Sequence, residues 1–350
     1  MGKHITIYDI AKELDLSPTT ISRALNDHPA VNPKTKQKIS EAAAEMGYQS
    51  NMFASNLRRQ HTNTLGVIVP RLNSPFMSSV IAGMEKVANE AGYNLIISQS
   101  LETLQKEIAN AKTMFDSRVD GLLVSLSYET QNIDHFQAFI NKGIPLIFYD
   151  RVAEHRQCTS IVIDNLQAAY RATSHLIEQG CTNLIHLTGN LKRNVYADRL
   201  KGYKYALLDH GMTYSEENII ISSLSEEAGI EAADQILGMN PLPDGLFVSN
   251  DTCAVSCLKA LTKAGVSIPR DLAVIGFNND PISRVVEPNL TTVNYPGYEM
   301  GELAASSLIL QLSGAVDNIA NNTVNLRSEL IIRESSLKSK AAAKKKVLAV

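Results

Sequence analysis

Residues 6–26, TIYDIAKELDLSPTTISRALN, constrain the fold of this 350-residue chain more than any other stretch. They read as two short helices joined by a tight turn. Thr6 can cap the first helix, with Asp9 three residues on as its charged partner. Ile7, Ile10, Ala11 and Leu14 then recur at helical spacing. Asp15 and Leu16 make the turn. Ser17 is a good N-cap, and Pro18 falls at the first helical position, where its missing N–H costs nothing. On the second helix Ile21, Ala24 and Leu25 are expected to point into a small core, with Thr19, Ser22, Arg23 and Asn26 pointing away from it. This is the pattern of a helix-turn-helix, whose second helix lies in the major groove of DNA. An ordinary amphipathic hairpin has the same periodicity, so the residues beyond Asn26 must decide between the two.

Asn32 and Pro33 start a third helix, PKTKQKISEAAAEMGY, with Ile39, Ala42, Ala43 and Met46 as its apolar stripe and Gly47 as its stop. Lys34, Lys36 and Lys38 in its first turns are either a solvated face or phosphate contacts. Residues 50–61, SNMFASNLRRQH, have helical composition over a few turns at most. A helix that short is marginal alone in water, so this segment is expected to order only against DNA and a partner copy.

From residue 64 the pattern becomes repeated strand–helix units. The strands are short apolar runs, among them LGVIVP (65–70), YNLIIS (93–98), GLLVSL (121–126), PLIFYD (145–150), SIVID (160–164), NLIHLTG (183–189), GLFVSN (245–250) and AVIGF (273–277). Amphipathic helices lie between most of them. Such alternation predicts an α/β fold with doubly wound parallel sheets, in two similar halves over 64–163 and 164–292 with a cleft between them. Ligands of such sheets bind beyond the carboxyl ends of the strands. Ser125, Asp150, Asp164, Asn250 and Asn278 stand at those ends.

Composition adds limits. No apolar run approaches the ~20 residues that span a bilayer, and MGKHITIYDI lacks the long apolar stretch of a secretory signal. Gly2 and Thr6 fit a myristoylation pattern, but Thr6 is expected to serve as a helix cap. Cys158, Cys181, Cys253 and Cys257 lack the spacing of a zinc site and are expected to be reduced, buried and cytoplasmic. Residues 1–61 carry a net charge of +2 and residues 338–350 a net +5, which leaves −10 for the remainder of a chain at −3. A basic head on an acidic body suits a protein that meets phosphate at one end. There is no GxGxxG after the first strand, no P-loop and no serine elbow, and His175, His186 and His210 have no catalytic motif around them. No enzyme activity and no cofactor is expected.

The layout resembles the lactose/galactose repressor (LacI/GalR) family of bacterial transcription regulators, over residues 4–337 or so. The resemblance is carried by TIYDIAKELDLSPTTISRALN, by GY at 47–48 and by SNMFASNLRR. In the core it is carried by LGVIVPRLNSPFMSSVIAGMEKVANEAGYNLII, IPLIFYDR, VIDN, ADRLKGY, FVSND, VIGFNND and PNLTTV. It implies a helix-turn-helix head (1–49), a hinge helix (50–61), a periplasmic-binding-protein-like core of two subdomains (62–337) and a basic tail (338–350) expected to be disordered. The core would split near 163, with the chain crossing back near 292.

The resemblance also implies roles. Pro18, Thr19 and Arg23 take the base-reading positions, and Arg23 suits the O6 and N7 of guanine. Thr20 and Ser22 are better placed for phosphate, and Thr6, Ser17, Asn26 and Lys36 complete the expected DNA-facing set. In the hinge, Leu57 matches a leucine that wedges into the minor groove, beside Arg58. Ser50 precedes Asn51 where the family usually has proline. The arrangement implies a homodimer on a pseudo-palindromic operator in double-stranded DNA, acting as a repressor in the cytoplasm without a membrane. The implied effector-binding residues are Phe76, Met77, Asp150, Arg193, Arg199, Leu224, Asn250 and Asn278, the last standing where aspartate is more usual. A sugar or sugar derivative is the expected effector. A nucleobase or a phosphorylated metabolite are the alternatives, and a sugar-binding transport protein is the alternative class.

Overall fold

The computed structural model describes residues 5–48, 61–314 and 323–338. The expectations for the hinge, including Asn51, Leu57 and Arg58, and for the tail beyond Lys338 lie outside the described residues. Two compact units divide between Thr62 and Asn63.

The first unit holds α1 (Ile7–Leu14), α2 (Pro18–Leu25) and α3 (Pro33–Glu45). The Asp9 carboxylate accepts from the Thr6 N–H at 2.8 Å and from its hydroxyl at 2.6 Å. Asp15 ends α1 in the left-handed region at φ 54°, a conformation that aspartate tolerates better than most residues. Ser17 Oγ accepts from the Thr20 N–H, and Asn32 Oδ1 from the Thr35 N–H, so both later helices start on side-chain caps. Ile10, Ala11, Ile21, Ala24, Val31, Ile39 and Ala43 form the core. Leu25 corrects the sequence reading, because it is 37% exposed. It is the last residue of a helix of barely two turns, and the small core closes on Ile21 and Ala24 before reaching it.

The second unit contains two six-stranded sheets. The first half runs β1 (Thr64–Val69), α4 (Pro75–Glu90), β2 (Asn94–Gln99), α5 (Leu104–Asp116), β3 (Gly121–Val124), α6 (Gln137–Asn141), β4 (Leu146–Tyr149) and β5 (Thr159–Ile163). The second runs α7 (Asn165–Glu178), β6 (Leu184–Thr188), α8 (Asn194–Asp209), β7 (Ile219–Ile221), α9 (Glu226–Leu237), β8 (Gly245–Val248), α10 (Asp251–Lys263), β9 (Ala273–Asn278) and β10 (Thr291–Asn294). The chain then returns through α11 (Gly297–Leu312) to β11 (Thr323–Leu326) and passes on to β12 (Glu329–Ile331). The sheets have equivalent orders, β2-β1-β3-β4-β5-β11 and β7-β6-β8-β9-β10-β12. Pairing is parallel throughout, except that β12 runs antiparallel to β10.

Among the described residues the chain therefore crosses between subdomains three times, after Ile163, after Asn294 and after Leu326, where the sequence reading implies two crossings. The short strands β11 and β12 escaped it. Their register places Leu326 beside Ile163 and Glu329 beside Asn294, so the three crossings lie together at one edge. Paired helices cover each sheet, and they approach closely. A Cβ on Gly301 of α11 would lie 1.9 Å from the Val80 carbonyl oxygen of α4, and one on Gly202 of α8 would lie 2.1 Å from that of Leu166 in α7.

Candidate functional site

Among the expected DNA-facing residues, Thr6, Ser17, Thr19, Arg23 and Asn26 are exposed, while Pro18, Thr20 and Ser22 are half-buried. Ser17 and Thr20 also share a hydroxyl–hydroxyl hydrogen bond at 2.9 Å, and the Asn26 amide donates to the Ser22 carbonyl at 2.7 Å. The Lys36 ammonium donates to the Asp27 carbonyl and carboxylate, at 3.0 and 2.5 Å. It holds the Asp27 carboxyl below its ordinary range and ties α3 to the loop after α2. Tyr8 was not singled out from the sequence, yet it is 69% exposed on the first turn of α1. An aromatic just outside the Ile7–Ile10–Ala11 stripe was the available signal.

In the core, Asp150 follows β4 and is buried between the subdomains. Its carboxylate accepts from the Tyr295 hydroxyl at 2.8 Å and from Ser125 Oγ at 3.2 Å. Burial raises its pKa, and the nearby Arg151 and the Tyr295 hydrogen bond oppose the rise. Arg199, on α8, is buried as well. Its Nε donates to Asn165 Oδ1 at 2.9 Å and its Nη1 to the Ser249 carbonyl at 2.8 Å. The guanidinium lies 3.6 Å from the Phe277 ring centroid and 5.7 Å from those of Tyr196 and Tyr295. Burial lowers its pKa, although arginine remains cationic at neutral pH. Phe76 packs against Tyr295, with ring centroids 4.3 Å apart and the planes tilted by 30°. Phe76, Asp150 and Arg199 are thus brought into one aromatic-walled cluster.

The remaining candidates are placed differently. Met77 packs into the apolar core. Asn250 caps α10, accepting from the Cys253 N–H at 2.8 Å, and its amide donates to the Leu224 carbonyl at 2.9 Å. Leu224 is buried with φ 57°, and Asn278 has φ 115°, both in the region that disfavours side chains. Arg193 donates from Nη2 to the Thr130 carbonyl of the other subdomain, while its Nε is buried without a partner.

A second group links the subdomains, and the sequence reading had not named it. Arg151 donates twice to Glu102, at 3.0 and 2.8 Å, and once to the Tyr196 hydroxyl at 3.2 Å. Its guanidinium lies 4.3 Å from the Tyr128 ring centroid, and the Tyr128 and Tyr196 hydroxyls are 3.0 Å apart. The Asn194 side chain accepts from the Val152 N–H and donates to the Asp150 carbonyl, each at 3.1 Å. Arg151 adjoins Asp150 in the run YDR, which was its only signal. The cleft is shut by its own side chains. Among the described residues no helix is long and apolar enough to cross a membrane, and all four cysteines are buried and free.

Comparison with known proteins gives consistent matches. Residues 6–51 match the family described as bacterial regulatory proteins, lacI family, and residues 173–336 match a periplasmic binding protein-like domain. Catabolite control protein A of Priestia megaterium is 30% identical over 334 residues, which cover 95% of this chain and 99% of that protein. The NTD biosynthesis operon regulator NtdR of Bacillus subtilis (strain 168) is 31% identical over 331 residues, covering 95% and 99%. The crystal structure of the Lac repressor dimer bound to operator and the anti-inducer ONPF superposes with a TM-score of 0.84, at 22% identity, over 96% of this chain and all of that one. At that identity the likeness is one of fold, whereas the two curated relatives match nearly end to end. The chain belongs to the lacI family of bacterial regulatory proteins and is a DNA-binding transcriptional regulator, not an enzyme.

Proposed function

We propose that this regulator acts in the cytoplasm as a homodimeric repressor on a pseudo-palindromic operator, controlled by a sugar or sugar derivative bound in the cleft. In this reading α2 enters the major groove, with Arg23 reading a base and Thr19 beside it. Thr6, Ser17, Thr20, Ser22, Asn26 and the exposed Tyr8 hydroxyl contact the backbone. Lys36 supports the loop after α2 through Asp27. Residues 50–61 link the head to the core and wedge Leu57 into the minor groove.

The observation that carries the effector reading is the cluster of Asp150 and Arg199 between the subdomains, walled by Phe76, Phe277 and Tyr295. Buried charge is costly unless hydrogen-bonded, and here Tyr295 and Ser125 hold Asp150 while Asn165 and the Ser249 carbonyl hold Arg199. A carboxylate, a guanidinium and aromatic faces are the groups that grip hydroxyls and the apolar face of a sugar ring. The Phe76–Tyr295 pair also suits a planar base, which keeps a nucleobase as the second reading. An effector with different affinities for open and shut forms shifts their balance, and with it operator affinity.

A thermal-shift screen of the full chain against free sugars, nucleobases and nucleosides tests this, because ligand bound to the folded state stabilises it. A sugar hit lost in Arg199→Ala and retained in the distant Lys259→Ala supports the reading. A hit confined to nucleobases replaces the sugar, and a hit that survives loss of Arg199 removes the cleft as the site.

A further inference from the structure

A cavity of about 610 Å³ opens at the mouth of the cleft, within the size range of small-molecule sites. Both subdomains wall it. Arg71, beyond β1, and Tyr128, beyond β3, stand on one side. Lys192, beyond β6, and Ser222 and Ser223, beyond β7, stand on the other. No carboxylate is among its lining residues. The Arg71 side chain is 49% exposed, and Glu102 is 3.8 Å away. Glu102 is already engaged by two hydrogen bonds from Arg151 and one from the Tyr128 N–H. The Lys192 ammonium makes no hydrogen bond or ion pair among the described residues. The cavity is one side chain away from the deep cluster, because Tyr128 meets Tyr196 and Tyr196 flanks Arg199.

The position of this cavity gives its charges leverage. The three crossings lie at the β5/β11 and β10/β12 edges, whereas the second wall of the cavity follows β6 and β7 at the opposite edge. With strands ~4.8 Å apart, β7 stands about 20 Å from β10. Opening about the crossings separates Arg71 from Lys192 more than it separates groups near the pivot. An anion held by both cations therefore binds the shut form far better than the open one.

We propose that this mouth cavity is the phosphate subsite of the effector, so that the effector is a phosphate monoester of a sugar. The proposal rests on the cleft being the effector site. Arg71 and Lys192 meet the phosphate oxygens from opposite subdomains, and the hydroxyls of Ser222, Ser223 and Tyr128 supply further donors. Two cations on opposite walls, with three hydroxyl residues among the lining, suit the three-dimensional charge of a phosphate better than the flat charge of a carboxylate.

The test titrates the full chain at constant ionic strength with glucose 6-phosphate, ribose 5-phosphate, glucuronate, inorganic phosphate, glucose and ribose. Heat of binding and thermal shift are both read. Inorganic phosphate is expected to stabilise the protein at millimolar concentration, and a phosphate ester to bind at least about tenfold more tightly than its parent sugar. That ratio is expected to collapse in Arg71→Gln and, separately, in Lys192→Gln, with circular dichroism verifying that each is folded. The inference is overturned if esters and phosphate bind no better than free sugars. It is also overturned if the advantage survives both substitutions, or if glucuronate matches the esters. A free-sugar response that needs Arg199, with no phosphate advantage, overturns this inference and leaves the cleft reading standing. A phosphate response abolished by both substitutions, with no response to any sugar or ester, keeps the anion site but removes the sugar-ester effector.

Discussion

Removing the Tyr196 hydroxyl should loosen the shut cleft without touching its apolar core. In Tyr196→Phe two hydrogen bonds across the subdomains disappear, one from Arg151 at 3.2 Å and one shared with Tyr128 at 3.0 Å. Arg151 keeps both of its bonds to Glu102, so no charge is stranded. A typical net contribution is about 0.5–1.5 kcal/mol per hydrogen bond, which gives about 1–3 kcal/mol for the pair. The ratio of shut to open molecules should fall about 5–150-fold. Single-molecule energy transfer between one dye on each subdomain reads that ratio. Asn141→Cys and Lys259→Cys, both exposed, supply the labelling sites, and the four native cysteines are buried. A double-mutant cycle with Tyr128→Phe separates the two bonds and should return a coupling near 1 kcal/mol. An unchanged distance distribution, with no coupling, would refute the reasoning and leave the Asn194 and Arg193 bonds and the apolar contacts as what holds the cleft.

Three further outcomes are expected. Arg23→Ala should weaken binding to the selected operator by about 1–3 kcal/mol while affecting random duplex much less, as competition binding would show; equal losses on both would make Arg23 a phosphate contact. Gly301→Ala should destabilise the core by about 3 kcal/mol or more, since the added methyl meets the Val80 carbonyl at 1.9 Å, while Gly238→Ala, whose methyl comes no nearer than 3.5 Å, should change the melting temperature little. His186 is fully buried, stacked between Phe247 and Tyr203, and burial pushes it down to about 3 from an ordinary 6.5. The unfolded chain therefore takes up a proton that the folded one refuses, so stability present above pH 6.5 is lost as pH falls towards 3, and His186→Phe should flatten the acid limb of the stability curve.

The head was readable because its signals are local. Caps at Thr6, Ser17 and Asn32 and a stripe at helical spacing specify three helices within a few residues. Leu25 was misread because its exposure depends on where the core ends, which periodicity does not state. In the core, strands buried on both faces, such as Gly121–Val124, stood out as continuous apolar runs. The edge strands Thr323–Leu326 and Glu329–Ile331 did not, being short and half-exposed, and with them went the third crossing. Polar residues at strand ends point to the cleft as a region, but do not disclose their duties there. Asp164 and Asn250 spend their side chains on capping α7 and α10. Tyr295, Tyr196 and Arg151 acquire neighbours only when two halves of the chain meet, and one sequence does not carry that pairing.

The two polar groups of the cleft differ in what they can control, and their places relative to the crossings explain why. Asp150 and Arg199 are fully buried, and Asp150 bonds Tyr295, which follows β10 in the crossing segment itself. A pivot moves little, so the Asp150–Tyr295 bond should change less on opening than contacts at the mouth. The hydrogen bonds of Asp150 and Arg199 offset the cost of burying them, and breaking those bonds strands a charge. Substitution there should appear mainly as lost stability and lost affinity. Arg151, Tyr128 and Tyr196 bridge opposite walls, and opening would return their polar atoms to water. Hydrogen bonds exchanged for water are worth little each, which is what a switch requires. On the proposed reading the charged cluster would grip the effector's ring, and the weak latch at the mouth would leave a ligand of ordinary affinity able to decide whether the cleft is shut.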